Sequence, residues 1–158
     1  MKKYKAYGNY VTKPLVPLKR ELDCISGWNS VFNLIAEKRN AGSRIFVMDL
    51  YPGVEEKSVV DNIKNYFENA IIIKVSDALY PYEKLEDIFR DYITQDRVFG
   101  YMTGKSIKDC FDEEKLSSLR KIVDKCEGEV FIVGTGASLI TKGDMLFYFD
   151  INRWEIQL

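Results

Sequence analysis

The sequence predicts an α/β domain: a three-layer α/β/α sandwich around a mostly parallel central sheet. Three observations carry this. Apolar runs at Arg44–Leu50, Ala70–Val75, Val130–Val133 and Met145–Phe149 are nearly continuous, as strands covered on both faces require. Stretches of helical periodicity separate most of them, which favours parallel pairing through crossover helices. Acidic residues or glycines stand at or just beyond the ends of these runs, where open α/β sheets bind ligands.

The elements follow in order. Residues 1–23 read as an irregular arm, because Pro14 and Pro17 interrupt regular structure and tyrosines alternate with Lys and Gly. A helix opens at Ser26-Gly27-Trp28. Its Trp28, Val31, Phe32 and Ile35 fall on one face, and Asn40-Ala41-Gly42 ends it. Arg44–Leu50 is the first strand and reads as central. The second helix carries Val59, Val60, Ile63, Tyr66 and Phe67 on one stripe, and Ala70–Val75 is the second strand. A third helix is expected with Leu85, Ile88, Phe89, Tyr92 and Ile93 at helical spacing. A fourth lies within Asp109–Cys126, with Leu116, Leu119, Val123 and Cys126 facing in. Val130–Val133 and Met145–Phe149 complete the sheet.

Composition narrows the function classes. A chain of 158 residues favours one domain with a core of its own. A net charge of -1 gives no general pull toward nucleic acid or anionic lipid. No apolar run is long enough to span a membrane, and the basic start lacks the apolar core of a signal peptide. Cys24, Cys110 and Cys126 are scattered, which predicts reduced thiols and a cytoplasmic location. The chain has no histidine, so acid–base or metal chemistry would rest on carboxylates, Lys, Tyr or Cys. No metal site is predicted.

Candidate site residues gather at the expected strand ends. Gly134-Thr135-Gly136-Ala137-Ser138 offers backbone amides to an anion, or simply a tight packed turn. Asp49, Asp77 and Asp150 each stand near a strand end and suit a ligand edge, or helix capping. Tyr51 and Gly53 follow the first strand. Arg97 and Arg153 suit phosphate contact, or structural ion pairs. Gly100–Ser106 ends in Gly-Lys-Ser, but its first glycine is one residue too near for a Walker loop and it follows no clear strand.

Two resemblances meet at these residues. The order of elements resembles a uridine-kinase-type P-loop fold that has lost its P-loop. Phe131–Val133, Gly134, Phe147–Asp150 and Arg153 carry it. A sharper set is similar to the N-terminal domain of long bacterial class I mannose-6-phosphate isomerase-like proteins. It comprises Gly27-Trp28-Asn29, Tyr51-Pro52-Gly53-Val54, Asp96-Arg97-Val98-Phe99-Gly100, Gly134-Thr135-Gly136-Ala137 and the segment from Asp150 to Gln157. The resemblance implies a parent isomerase whose chemistry belongs to a following cupin domain that holds zinc. This chain would then carry no cofactor, would be catalytically degenerate, and would be the N-terminal part of a longer polypeptide.

The implied role is to bind a sugar phosphate or nucleotide, or to dock on the isomerase domain. The binding edge would be Asp49, Tyr51, Gly53, Gly134, Thr135, Gly136, Ser138 and Asp150, with Arg97 and Arg153 on phosphate. Two rivals stay open. One is an active phosphotransferase or phosphohydrolase, using Asp49 or Asp150 with Lys105 or Arg97. The other is an interaction module or self-associating domain, favoured by ten tyrosines.

Overall fold

The computed structural model describes residues 25–96 and 99–152. The arm expected over 1–23, together with Arg97 and Arg153, lies outside the described residues.

Helix α1 (Trp28–Asn40) precedes strand β1 (Ile45–Leu50), helix α2 (Glu56–Tyr66) and strand β2 (Ile71–Lys74). Helices α3 (Tyr82–Phe89) and α4 (Glu113–Lys125) follow, then strands β3 (Val130–Gly134) and β4 (Met145–Phe149). Among the described residues the sheet has four strands in the order β2-β3-β1-β4. Every pairing is parallel: Phe46 opposes Phe131 and Met145, and Ile73 opposes Ile132.

Strand alternation sends side chains to two cores. Phe46, Met48, Leu50, Phe131 and Val133 meet Phe32 and Ile35 of α1 and Val59, Val60 and Ile63 of α2. Val47, Ile73, Val130 and Ile132 face the other way, toward Leu116 and Val123 of α4 and toward Ala137 and Ile140. The sheet is therefore the middle of three layers, as the apolar runs require.

Helix α2 carries the chain from β1 to β2 over one face. The β2-to-β3 and β3-to-β4 connections run the opposite way over the other face, so all three crossovers share one hand. The last of them contains only a 3-10 turn at Ala137–Leu139.

Helix starts follow local chemistry. Asp112 accepts from the amides of Glu114 and Lys115 at 3.0 and 3.2 Å, so α4 begins after it. The fourth helix thus lies within the span the sequence allotted it, and Ile107–Cys110 forms a separate 3-10 turn. The third helix departs from expectation. It ends at Phe89, Arg90–Tyr92 tightens to a 3-10 turn, and no residue of α3 is buried. The physical reason is room. The crossover between adjacent β2 and β3 needs one helix on that face, and α4 fills the place. Phe67, just past the end of α2, is buried as expected of its stripe, but Tyr66 is 39% exposed.

The sheet's starting edge is tied by Asp144. Its Oδ2 accepts the amides of Arg44 at 2.7 Å and Ile45 at 2.8 Å. These bonds, Arg44's first, hold the Asp144 carboxyl below its ordinary range. A carboxyl depressed in the folded state stabilises above the unfolded pKa, about 3.9, and that contribution fades as pH falls through the lower folded value. Asp109 and Glu113 are lowered too and act in the same acid window. Asp144→Asn is therefore expected to lie below wild type in Tm near pH 6, with the gap narrowing as pH falls below the unfolded value of about 3.9. Thermal melts across that range check this; a gap that stays constant would refute it. No helix among the described residues is long and apolar enough to cross a membrane.

Candidate functional site

The neighbouring strands β1 and β3 send their connections to opposite faces, which makes their C-terminal ends the topological switch point of the sheet. The predicted edge residues Asp49 and Gly134–Ser138 stand there. Asp49 lies opposite Gly134 in the ladder.

Asp49 and the glycine loop do come together, but with the acid as the loop's partner. The Gly136 amide donates to Asp49 Oδ1 at 2.9 Å, and the Ser138 amide donates to Oδ2 at 3.1 Å. Both carboxylate oxygens are engaged. Gly136 adopts the left-handed conformation, φ 81°, that turns the loop onto the acid. A Cβ at Gly136 would also stand 3.2 Å from Leu139 and 3.3 Å from Phe111. The amides that a phosphate would need are filled by the protein's own anion. Thr135 is half-buried beside them, and the Ser138 side chain is exposed.

The other predicted residues flank this lock. Tyr51 donates its amide to the Phe149 carbonyl at 2.8 Å and leaves its ring partly exposed. Gly53 lies in the turn that leads to α2. Asp150 is exposed and accepts the Ile151 amide at 2.8 Å. Tyr148, beside Asp49 in the ladder, has its phenol raised by local desolvation, then by Asp150, Tyr51 and Asp49. These four side chains share one electrostatic neighbourhood. Leu146 and Tyr148 are more than half exposed on the face that α4 leaves open.

Asp77 sits in the 3-10 turn after β2 and is exposed. Among the described residues, no three His, Cys, Asp or Glu side chains gather closely enough to hold a metal ion. The Gly100–Ser106 segment precedes a 3-10 turn, not an α-helix. Ser106 and Asp109 form a capping box there, with the Ser106 amide donating to Asp109 Oδ2 at 2.6 Å. Asp96 Oδ1 accepts the Phe99 amide at 3.1 Å, a tie within the loop. The phosphate or ion-pair role expected of Arg97 falls outside the described residues.

Sequence reasoning missed Glu56. It opens α2 and reaches across the switch point. The Ser76 hydroxyl donates to Glu56 Oε1 at 3.0 Å, and Lys74 Nζ lies 3.7 Å from the same oxygen. Gly134 has φ 138°, a conformation that favours glycine, and a Cβ there would stand 3.3 Å from Val75 Cβ and 3.1 Å from Glu56 Oε2. The available signal was an acid in the first turn of a helix that follows a strand.

The fold and this edge define an all-parallel α/β domain whose switch point is closed by a carboxylate-held loop. The chain belongs to the family described as a domain of unknown function, DUF8485, whose model matches residues 27–158. No curated protein and no solved structure matches it.

Proposed function

We propose that this chain is a non-catalytic, kinase-like accessory domain of a mannose-6-phosphate isomerase-like protein, and that it acts by docking on the isomerase domain. The observation that carries the choice of docking over phosphate binding is the Asp49 lock. An anion at the Gly134–Ser138 loop must displace a carboxylate that already holds two amides, and it meets the Glu56 carboxylate beside Gly134. A like charge there disfavours a phosphate. Support for the kinase-like part comes from strand order: the first strand lies inside the sheet beside the third. Support for docking comes from exposed Leu146 and Tyr148 on β4, and from Phe99, Tyr101 and Met102 after α3.

The test is to mix this chain with a separately expressed cupin isomerase domain of the resembled class and follow association by sedimentation. Mannose 6-phosphate and ATP are titrated in parallel as thermal-shift ligands. Association with a flat ligand panel is expected. No association, with a Tm rise from either ligand that follows mass action, overturns docking in favour of the binding role.

A further inference from the structure

Two exposed apolar patches of this chain complement each other. The first is the open face of the edge strand β4. On the side where α4 and the Ala137–Leu139 turn close the core, Leu146 and Tyr148 stay outside it, 54% and 64% exposed. Asp49 is the ladder neighbour of Tyr148, and the Asp150 carboxylate acts on the same phenol, so that end of the patch is acidic. The second patch is the turn after α3. There Phe99, Tyr101 and Met102 are 73%, 71% and 98% exposed. From 99 to 108 the sequence has two lysines and no acid. Lys108 lies 3.5 Å from Glu113, and among the described residues Lys105 joins no ion pair. Asp96 and Asp109, on either side, are engaged by the Phe99 and Ser106 amides.

The turn is held in one shape. The Tyr101 amide donates to the Tyr92 carbonyl at 2.9 Å, and the Thr94 hydroxyl donates to the Phe99 carbonyl. A Cβ at Gly100 would stand 2.6 Å from the Tyr92 carbonyl oxygen, so the backbone packs too closely there for any side chain. Aromatic groups fixed in this way lose little freedom on binding. Within one chain both patches are exposed, so neither covers the other. The Leu79–Phe111 bridge at the base of this excursion follows β2, and β2 and β4 are opposite edges of the sheet. An apolar turn with an unpaired lysine and an apolar strand face with an acidic end therefore match between molecules.

We propose that this chain self-associates head to tail, with the 99–102 turn of one copy seated on the Leu146 and Tyr148 face of another and Lys105 directed to Asp150. Contact between unlike surfaces closes on a two-fold axis when both turns seat at once, and otherwise grows as a chain. This goes beyond the docking reading and needs no isomerase domain. Docking draws on the same two patches, so the isomerase domain and a second copy compete for them.

The test is sedimentation velocity of the full chain over a dilution series, with two variants. Met102→Glu spoils the turn and Leu146→Asp spoils the strand face; circular dichroism and Tm check that each folds. If Leu146→Asp does not fold, Asp150→Lys replaces it. Wild type is expected to sediment beyond the monomer in a concentration-dependent way that added salt weakens. Each variant alone should associate at least about tenfold more weakly. An equimolar mixture of the two should recover a dimer and nothing larger, because one intact turn then meets one intact face. A wild type that is monomeric at every concentration would overturn the proposal. So would undiminished association of either variant alone, which means that like surfaces meet, or a mixture that recovers nothing. These runs contain no isomerase domain, so their failure is separate from a failure of docking.

Discussion

Phe131→Ala is expected to destabilise the domain by about 3–5 kcal/mol, the largest single effect of any side-chain truncation considered. Phe131 is fully buried near the middle of the most enclosed strand. Its ring stacks on Phe46 and tilts against Phe67, both at 5.2 Å between centroids. Phe67 in turn meets Phe32 edge-on at 5.6 Å. One truncation therefore removes contacts from β1, α2 and, through Phe67, α1. The close packing of three elements leaves little freedom to collapse into the cavity. Tm should fall by roughly 6–20 °C for a domain of this size. Phe131→Leu, which refills most of the volume, should recover much of the loss. Chemical denaturation of the three proteins checks both, and a Phe131→Ala loss under about 1 kcal/mol would show that the two helices do not rest on this ring.

How much of this was legible in the sequence follows from which forces act locally. Buried parallel strands announce themselves, because both faces must be apolar; Phe46–Met48 and Val130–Val133 could be read directly. The first and second helices were legible from Phe32, Ile35, Val59, Val60 and Ile63, whose spacing fixes a buried face whatever the partner. The third helix was legible as a helix but not in its exposure, because Leu85, Ile88 and Phe89 have the same spacing as a buried stripe. Whether a stripe is covered depends on the crossover geometry and on the place α4 already occupies. Spacing within one segment carries no trace of that.

At the site, the sequence placed Asp49 and Gly134–Ser138 on one edge because the C-terminal ends of parallel strands share it. It left the sign of their relation open. The same acid and the same glycines read as two halves of a ligand site or as donor and acceptor of one lock. Only the 2.9 and 3.1 Å bonds decide between them. Glu56 was invisible for a plainer reason. It looks like an ordinary helix acid, and it becomes notable only through residues distant in sequence, Ser76 and Gly134.

Removing the Asp49 carboxylate tests the lock, and its effect should be second only to that of Phe131→Ala. Asp49→Ala leaves the amides of Gly136 and Ser138 without their partner. Hydrogen bonds to a charged group contribute about 1.5–3 kcal/mol each, and the exposed Ser138 amide regains water, so a loss of about 2–4 kcal/mol is expected for the pair. Asp49→Asn should not rescue it fully. A carboxylate offers two acceptor oxygens to two amides, whereas a carboxamide offers one oxygen and turns its own N–H groups toward the second amide. Urea unfolding of the two variants should therefore rank wild type above Asn and Asn above Ala. The second consequence is functional. With the acid gone, the vacated amides at Gly136 and Ser138 become an anion cradle of the kind found at phosphate loops. Inorganic phosphate should raise the Tm of Asp49→Ala and leave wild type unmoved. If phosphate stabilises wild type as strongly, the loop accepts anions with Asp49 in place and the docking role loses its main support. If Asp49→Ala is as stable as wild type, the two bonds do not hold the loop, and the switch point is open in solution.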